Sequence, residues 1–168
     1  MLPNIEDCIP ALRRYALALL RDRQDADDLV HDCLVRALDK LHTCRDDVDI
    51  RAWLFAIMHN LFISQRRRAR RRPDIETLED HDNGNANGAP GDQEDRLQWK
   101  EVLRVLNSLP EDQRAVILLV SVEDLSYAEA ARVLGVPIGT VMSRLARGRE
   151  RMRQLAQEQG RPPLRRVK

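Results

Sequence analysis

Aromatic side chains and long apolar runs are both scarce in this chain of 168 residues. Phe, Trp and Tyr together make up only 4% of the sequence, while Leu, Ala, Val and Arg are abundant, which suits helices better than a sheet. The longest apolar runs fall well short of the ~20 residues that a membrane-spanning helix needs. Residues 1–15 also lack the basic start and apolar core of a secretory signal. We therefore expect an all-α cytoplasmic protein without direct membrane insertion.

Cysteine is sparse as well, and its spacing is not that of a disulfide framework. Cys8, Cys33 and Cys44 are an odd number and form no CxxC motif. His31 and His42 each precede a cysteine by two positions, but residues two apart on a helix point about 200° apart. Such pairs are poorly placed to bind one zinc ion together. We expect buried free thiols, no metal and no cofactor.

The whole chain has a net charge of only +1, but its segments are strongly charged. Residues 1–50 have a net charge of −4, residues 51–72 of +7, residues 73–95 of −8 and residues 96–168 of +6. Two basic blocks that each follow an acidic block are typical of two nucleic-acid contacts set apart by surfaces that repel nucleic acid. The near-neutral total therefore does not exclude DNA binding.

Residues 125–151, LSYAEAARVLGVPIGTVMSRLARGRER, predict two short helices joined by a tight turn. Ser126 can cap the first helix with Glu129 in a capping box, and Gly135 is suited to end it. After the VPIG turn, an arginine-rich second helix is expected from Thr140. The apolar positions expected to pack the two helices together are Ala128, Ala131 and Leu134 on the first helix and Val141, Leu145 and Met152 on the second. This pattern indicates a helix-turn-helix that enters a DNA major groove, the alternative being a helical hairpin with a solvated basic face.

Two helical units account for the rest of the chain. Apolar side chains at helical spacing predict three helices in residues 1–72, with Pro10 an awkward interior residue in the first. A fourth predicted helix follows residue 94, and a fifth spans 111–122. The fold class that we expect is all-α, with two small helical domains and the helix-turn-helix in the second. The expected divisions are a domain at 1–72, a linker at 73–93, a domain at 94–157 and a basic tail at 158–168.

The predicted linker differs in kind from its neighbours. Residues 73–93 contain many acids, three glycines, three asparagines and few large apolar residues. This composition predicts a flexible, self-repelling segment that lets the two domains move independently.

Four stretches of the chain, in order, resemble segments of the extracytoplasmic-function (ECF) sigma factors of the sigma-70 family. Residues 25–38, DADDLVHDCLVRAL, resemble the acidic helix that docks on the clamp of RNA polymerase. Residues 50–61, IRAWLFAIMHNL, resemble the promoter-melting segment, and an arginine run follows them as in many relatives. Residues 109–117, LPEDQRAVI, and residues 125–151 resemble the C-terminal domain of that family.

The resemblance implies a factor that binds core RNA polymerase and promoter DNA and directs initiation through −10 and −35 elements, controlled by an anti-sigma factor. It implies neither catalysis by this chain nor a small-molecule substrate. The residues that it implies for polymerase binding are Asp28, Leu29, Val30, Asp32 and Leu34. Those implied for the −10 element and melting are Arg51, His59, Asn60, Gln65, Arg66, Arg67 and Arg68. Those implied for the −35 element are Thr140, Ser143, Arg144, Arg147 and Arg149.

Some assignments stay open at the level of the sequence. Trp53 and Phe55 could stack on bases, although core packing is the better interpretation for Trp53. Met142 stands where many relatives have Lys or Arg, so the −35 preference should not be copied from a relative. Two other functions remain as alternatives: a stand-alone helix-turn-helix regulator, and a sigma-like module that titrates an anti-sigma factor.

Overall fold

A computed structural model describes residues 4–71 and 93–158, and the regular structure within those ranges is entirely helical. The α-helices are α1 (Ile5–Leu20), α2 (Arg23–Lys40), α3 (Ile50–Arg71), α4 (Gln93–Asn107), α5 (Glu111–Ile117), α6 (Tyr127–Leu134) and α7 (Ile138–Glu158). A 3₁₀ turn, Leu41–Thr43, follows α2, and a π-helical turn, Leu118–Val122, continues α5. The all-α expectation is confirmed. The predicted linker and tail lie almost entirely outside the described residues.

Local side-chain caps set the starts of the first two helices. The side chain of Asn4 accepts a hydrogen bond from the backbone N–H of Glu6, and that of Asp22 accepts from the N–H of Asp25. Between α1 and α2, Arg21 adopts a left-handed φ of 60° that turns the chain sharply. Pro10 lies inside α1, which accommodates it without ending.

Helices α1, α2 and α3 pack together around aromatic side chains. Tyr15 and Phe55 are fully buried and meet edge to face, with their ring centroids 5.3 Å apart. Phe62 is also fully buried, whereas Trp53 is half-buried against the same core. Phe55 is therefore a core residue, and Trp53 has the packing role that the sequence favoured.

A buried arginine organises the start of the C-terminal unit. Arg114 is only 4% exposed and donates to the carbonyl oxygens of Leu106, Asn107 and Leu109 at 2.9, 3.2 and 3.0 Å. Burial lowers the pKa of Arg114 to about 10. The guanidinium binds carbonyl oxygens at the end of α4 and in the turn after it, and so fixes the corner into α5.

The predicted helix at 111–122 changes its winding halfway. It is α-helical only to Ile117, and the π-helical turn then brings the N–H of Glu123 to the carbonyl oxygen of Leu118 at 2.9 Å. Asp124 follows with a left-handed φ of 56°. This wider turn and the kink after it direct Glu123 back into the protein, a feature that no periodicity in the sequence indicates.

The N-terminal and C-terminal units lie against each other. Helix α3 packs along α6, and α1 contacts α4 and α5. Buried apolar residues of both units form one continuous cluster. In the structure the two units thus pack together in a closed arrangement, whereas the composition of the linker predicts that they move independently.

Candidate polymerase and promoter surfaces

Helix α2 presents the acidic face that the sequence predicted. Asp28 and Asp32 are exposed on it, and Leu34 is half-buried beside them. Leu29 and Val30, however, are 0% and 3% exposed and pack inside the N-terminal unit. They support the face from beneath and do not lie on the surface that a partner would touch.

The apolar part of this face lies further along the helix. Val35, Leu38 and Leu41 are 47%, 63% and 37% exposed, which is unusual for large apolar side chains. Leu38 and Leu41 border a shallow groove that Ile5 and Ile9 of α1 complete. Leu38 and Leu41 stay exposed because the second predicted helix contains more apolar positions than one helix face can bury.

The promoter-melting candidates are divided between solvent and the interface of the two units. Asn60, Arg67 and Arg68 are exposed, and Gln65 is half-buried. Arg66 makes an ion pair with Glu111 of α5 at 2.5 Å, and its guanidinium lies 5.5 Å from the centre of the Phe62 ring. The structure thus leaves part of this set open to a nucleic acid and engages another part internally.

His59 is in the interior and not on a DNA-facing surface. It is 8% exposed, and its Nδ1 lies 3.3 Å from the hydroxyl of Tyr15. Burial lowers the pKa of His59 to about 4, so the ring is neutral at physiological pH. A neutral, buried ring offers no charge to a phosphate, and in the structure His59 packs in the interior.

The helix-turn-helix forms as its sequence predicted, with a shifted second start. The N–H of Glu129 donates to Ser126 Oγ at 3.1 Å, and the N–H of Ser126 donates to Glu129 Oε2 at 2.7 Å. Those hydrogen bonds lower the pKa of Glu129. Gly135 ends α6 with a left-handed φ of 65°, and α7 begins at Ile138, two residues before the expected Thr140.

The seam between α6 and α7 differs slightly from the predicted one. Ala128 is exposed, and Ala130 is fully buried in its place. Val141 and Leu145 are buried as predicted. Gly148 allows α7 to approach α5, since a Cβ there would lie 2.5 Å from Ile117 Cδ1. The seam holds α7 so that its arginine-bearing side faces outward.

The candidate −35 residues lie along this outer side of α7. Thr140 and Ser143 are half-buried in the first turns, and Ser143 Oγ donates to the carbonyl oxygen of Thr140 at 3.1 Å. Arg147 and Arg149 are exposed, whereas Arg144 has its Nε 3.5 Å from Asp112 Oδ2. Met142 is 47% exposed, so it lies on the surface and not in the core.

Glu123 joins the two units and was missed by the sequence analysis. Its carboxylate is 1% exposed and accepts from Arg14 Nε at 2.8 Å, Arg14 Nη2 at 2.9 Å and Arg51 Nη2 at 2.8 Å. The hydrogen bonds to Glu123 raise the pKa of Arg14. Arg14 is 109 residues away in sequence and Arg51 is 72, so no local pattern could have linked them.

The three cysteines are free in the structure. Cys33 Sγ lies 3.5 Å from the carbonyl oxygen of Leu54, and burial raises the pKa of Cys33 to about 12. His31 is exposed on the same helix, so the His31–Cys33 pair does not converge on one point. In the ranges that the structure covers, no helix is long and apolar enough to cross a membrane.

Two family descriptions match parts of the chain. The family described as "Sigma-70, region 4" matches residues 99–152, and the "Sigma2 domain of PhyR" matches residues 5–59. The first range contains α5, α6 and most of α7, and the second contains α1, α2 and the start of α3.

Whole-chain similarities extend over both units. The ECF RNA polymerase sigma factor EcfG of Rhodopseudomonas palustris is 36% identical over 152 residues, which cover 89% of this chain and 81% of that protein. The ECF RNA polymerase sigma factor SigM of Mycobacterium tuberculosis is 35% identical, with 86% of this chain and 70% of that protein covered.

Two solved structures resemble the fold over most of the chain. The sigma factor RpoE of Bartonella quintana, in complex with the anti-sigma factor NepR, has a TM-score of 0.76 at 32% identity and covers 91% of this chain and 94% of its own. CnrH in complex with the cytosolic domain of CnrY has a TM-score of 0.63 at 29% identity and covers 88% and 81%.

Proposed function

This chain belongs to the ECF RNA polymerase sigma factors of the sigma-70 family, and we propose how its helices divide the work of that family. It binds core RNA polymerase and directs transcription initiation from specific promoters. The N-terminal unit docks on the polymerase and opens the −10 element, and the C-terminal unit reads the −35 element.

One observation carries this proposal: an acidic face with exposed apolar side chains and a capped, arginine-bearing helix-turn-helix occur in the same chain. A DNA regulator that acts alone needs the second feature but has no use for the first. A factor that brings polymerase to a promoter needs both, since one surface must hold protein while the other holds DNA.

The polymerase contact is proposed for the exposed side of α2. Asp28 and Asp32 would steer a basic partner, which raises the association rate and fixes orientation more than it raises affinity. Leu38, with Leu34 beside it, would supply the apolar area that desolvation makes favourable. This assignment moves the apolar contact from the buried Leu29 and Val30 to the next turns of the same helix.

The −10 contact is proposed for the outward side of α3. Asn60 would receive a base that has been pulled out of the stack, with the loop at residues 43–47 beside it. Unstacking costs a few kcal/mol per step, so the strand must be held by compensating contacts. Gln65, Arg67 and Arg68, with Arg51 and Arg66 when their carboxylate partners release them, would supply hydrogen bonds and charge to the strand.

The −35 contact is proposed for the first three turns of α7. Arg144 and Arg147 would face base edges, where one bidentate arginine–guanine pair contributes about 1–3 kcal/mol of discrimination. Thr140 and Ser143 would contact phosphate at the helix N-terminus, and Arg149 would hold the backbone further along. Met142 adds an apolar contact, suited to a thymine methyl group, in place of a cation.

An anti-sigma factor is proposed as the regulator. The solved structure of the sigma factor RpoE, which is similar to this chain over 91% of its length, contains the anti-sigma factor NepR. A partner that binds both units together would hold them away from the promoter spacing. We further propose that the chain is cytoplasmic and is not an enzyme, since in this family the polymerase carries out RNA synthesis.

A sigma-like module that titrates an anti-sigma factor is the second candidate, because residues 5–59 match the Sigma2 domain of PhyR. Binding of a labelled promoter fragment, measured with and without core polymerase, separates the candidates. We expect tight, sequence-specific binding only when core is present. Equally tight specific binding without core would favour a stand-alone regulator, and absence of specific binding in both conditions would favour the titrating module.

A further inference from the structure

Glu123 is a buried carboxylate of the C-terminal unit whose charged partners both belong to the N-terminal unit. Arg14 lies on α1 and Arg51 on α3, and together they donate three hydrogen bonds of 2.8 to 2.9 Å to it. A carboxylate that is 1% exposed is stable only when it is paired, because removal from water strongly disfavours its charge. When the two units separate, water must replace both arginines around this group.

The same polarity recurs at the other end of the interface. Glu111 of the C-terminal unit pairs with Arg66 of α3 at 2.5 Å. In both pairs the carboxylate comes from the C-terminal unit and the cation from the N-terminal unit. A third contact, from the Arg21 guanidinium to the carbonyl oxygen of Asn107, also runs from the N-terminal to the C-terminal unit.

Two of these arginines, Arg51 and Arg66, are among the residues that we assign to the promoter strand. In the closed protein each donates to a carboxylate, as it would donate to a phosphate on DNA. In the closed protein a carboxylate occupies the Nη2 donor of each guanidinium. A phosphate of the melted strand must therefore compete with Glu123 and Glu111 for these two side chains, so closure of the units weakens strand binding.

We propose that Glu123 and Glu111 act as an internal substitute for DNA phosphate and hold the free factor in a closed state with a lowered affinity for DNA. We call the ion pairs of Glu123 and Glu111 with the arginines of the N-terminal unit the latch. The proposal rests on the proposed function for the strand-binding role of Arg51 and Arg66, but the latch itself is a property of this chain alone. Opening releases the arginines to the strand, so anything that separates the units also exposes the strand-binding surface.

The backbone around Glu123 supports a dedicated role for this carboxylate. The π-helical turn at Leu118–Val122 and the left-handed Asp124 place Glu123 inward while its neighbour Asp124 stays exposed. A residue at the end of an ordinary α-helix would not need either distortion. The chain thus offers a buried and an exposed acid side by side, which makes Asp124 a matched control.

The test compares Glu123→Gln and Arg14→Ala with the controls Asp124→Asn and Arg13→Ala in the full chain. Arg13 is exposed next to Arg14 on α1 and takes no part in the latch. Small-angle X-ray scattering reports opening, and fluorescence anisotropy with a labelled single-stranded DNA of mixed sequence reports strand binding without polymerase. Arg14 lies outside the proposed DNA contacts, so its variant changes the latch and leaves the strand contacts in place.

We expect both latch variants to have a larger radius of gyration and to bind the single strand about tenfold more tightly, because the closed state that competes with strand binding loses charge-assisted hydrogen bonds. The control variants should match the wild type in both measurements. An unchanged radius in both latch variants would overturn the proposal, and expansion without tighter strand binding would overturn the phosphate-substitute role. If Glu123→Gln fails to fold by circular dichroism, Arg14→Ala decides the outcome.

A failure of the latch is distinguishable from a failure of the proposed function. The scattering measurement needs neither polymerase nor a promoter, so it judges the latch alone. Latch variants that open but, like the wild type, add no specific promoter binding to core polymerase would count against the sigma-factor assignment only.

Discussion

At the scale of single residues, the charged groups divide into those that serve the fold and those that remain available for partners. Arg114 is buried on three backbone carbonyls and fixes the corner between α4 and α5. Arg147 and Arg149 are exposed on α7. Within one helical unit, a buried arginine therefore stabilises the fold, whereas exposed arginines remain available to a partner.

His59 makes the stability of the fold depend on pH. Its pKa is lowered from 6.5 to about 4 in the folded protein, so between these values the unfolded chain binds a proton that the folded chain does not. The free energy of unfolding should therefore fall as the pH drops below 6.5, by about 1.4 kcal/mol per pH unit from this group. Urea denaturation followed by circular dichroism between pH 7 and 5 measures the slope.

The matched variants for this prediction are His59→Gln and His31→Gln. His31 is exposed on α2, so its replacement should keep the wild-type slope. His59→Gln should be less stable throughout but should lose most of the slope between pH 6.5 and 5, above the range in which carboxylates titrate. A slope that survives in His59→Gln would mean that another group is responsible.

At the scale of elements, α2 combines an inner face that packs the N-terminal unit with an outer face suited to a protein partner. Asp28 and Asp32 lie outside, while Ala26, Leu29 and Cys33 are buried. Changes on the outer face should therefore affect binding without unfolding the unit, which makes the polymerase assignment open to a direct test.

The double variant Asp28→Arg, Asp32→Arg should bind core polymerase about tenfold more weakly, because like charges would then oppose a basic docking surface. Surface plasmon resonance against immobilised core polymerase measures the affinity. The thermal melting temperature should stay within a few degrees of the wild type, as expected for exposed sites. The charge reversal Glu158→Arg, at the end of α7, is the control, and an unchanged affinity in the double variant would remove α2 from the polymerase interface.

Local signals in the sequence were sufficient to predict several elements. The Ser126–Glu129 capping box and the left-handed Gly135 are determined by residues within a few positions of one another, and both occur as predicted. The start of α3 at Ile50 also agrees with its apolar spacing. Short-range hydrogen bonding and backbone preference act before any tertiary contact, which is why sequence alone predicts them.

Features that depend on tertiary packing were beyond the sequence. In α2, local spacing does not separate Leu29 and Val30 from Leu38 as core candidates, and only packing against α1 and α3 buries the first two. The pairing of Glu123 with Arg14 joins residues 109 positions apart. The π-helical turn that directs Glu123 into the interior has no periodic sequence pattern from which it could be predicted. The candidate site could thus be predicted as a set of helices, but not as a set of contacts.

At the scale of the whole molecule, the described parts form a closed protein with the acidic face of α2 outward. The acidic face of α2 is exposed, whereas Arg51 and Arg66 are held by carboxylates of the other unit. Polymerase could therefore dock on the closed protein before DNA does. Opening would then follow on the polymerase, where the promoter strand competes with Glu123 and Glu111 for the same cations.

The central claim is that this chain confers promoter specificity on RNA polymerase, and in vitro transcription from a genomic promoter library tests it most directly. Core polymerase with the chain should produce transcripts from a subset of promoters that share two elements at a fixed spacing. Arg144→Ala combined with Arg147→Ala should lower output from that subset and leave promoters with a scrambled −35 element unaffected. Output no different from that of core polymerase alone would contradict the claim.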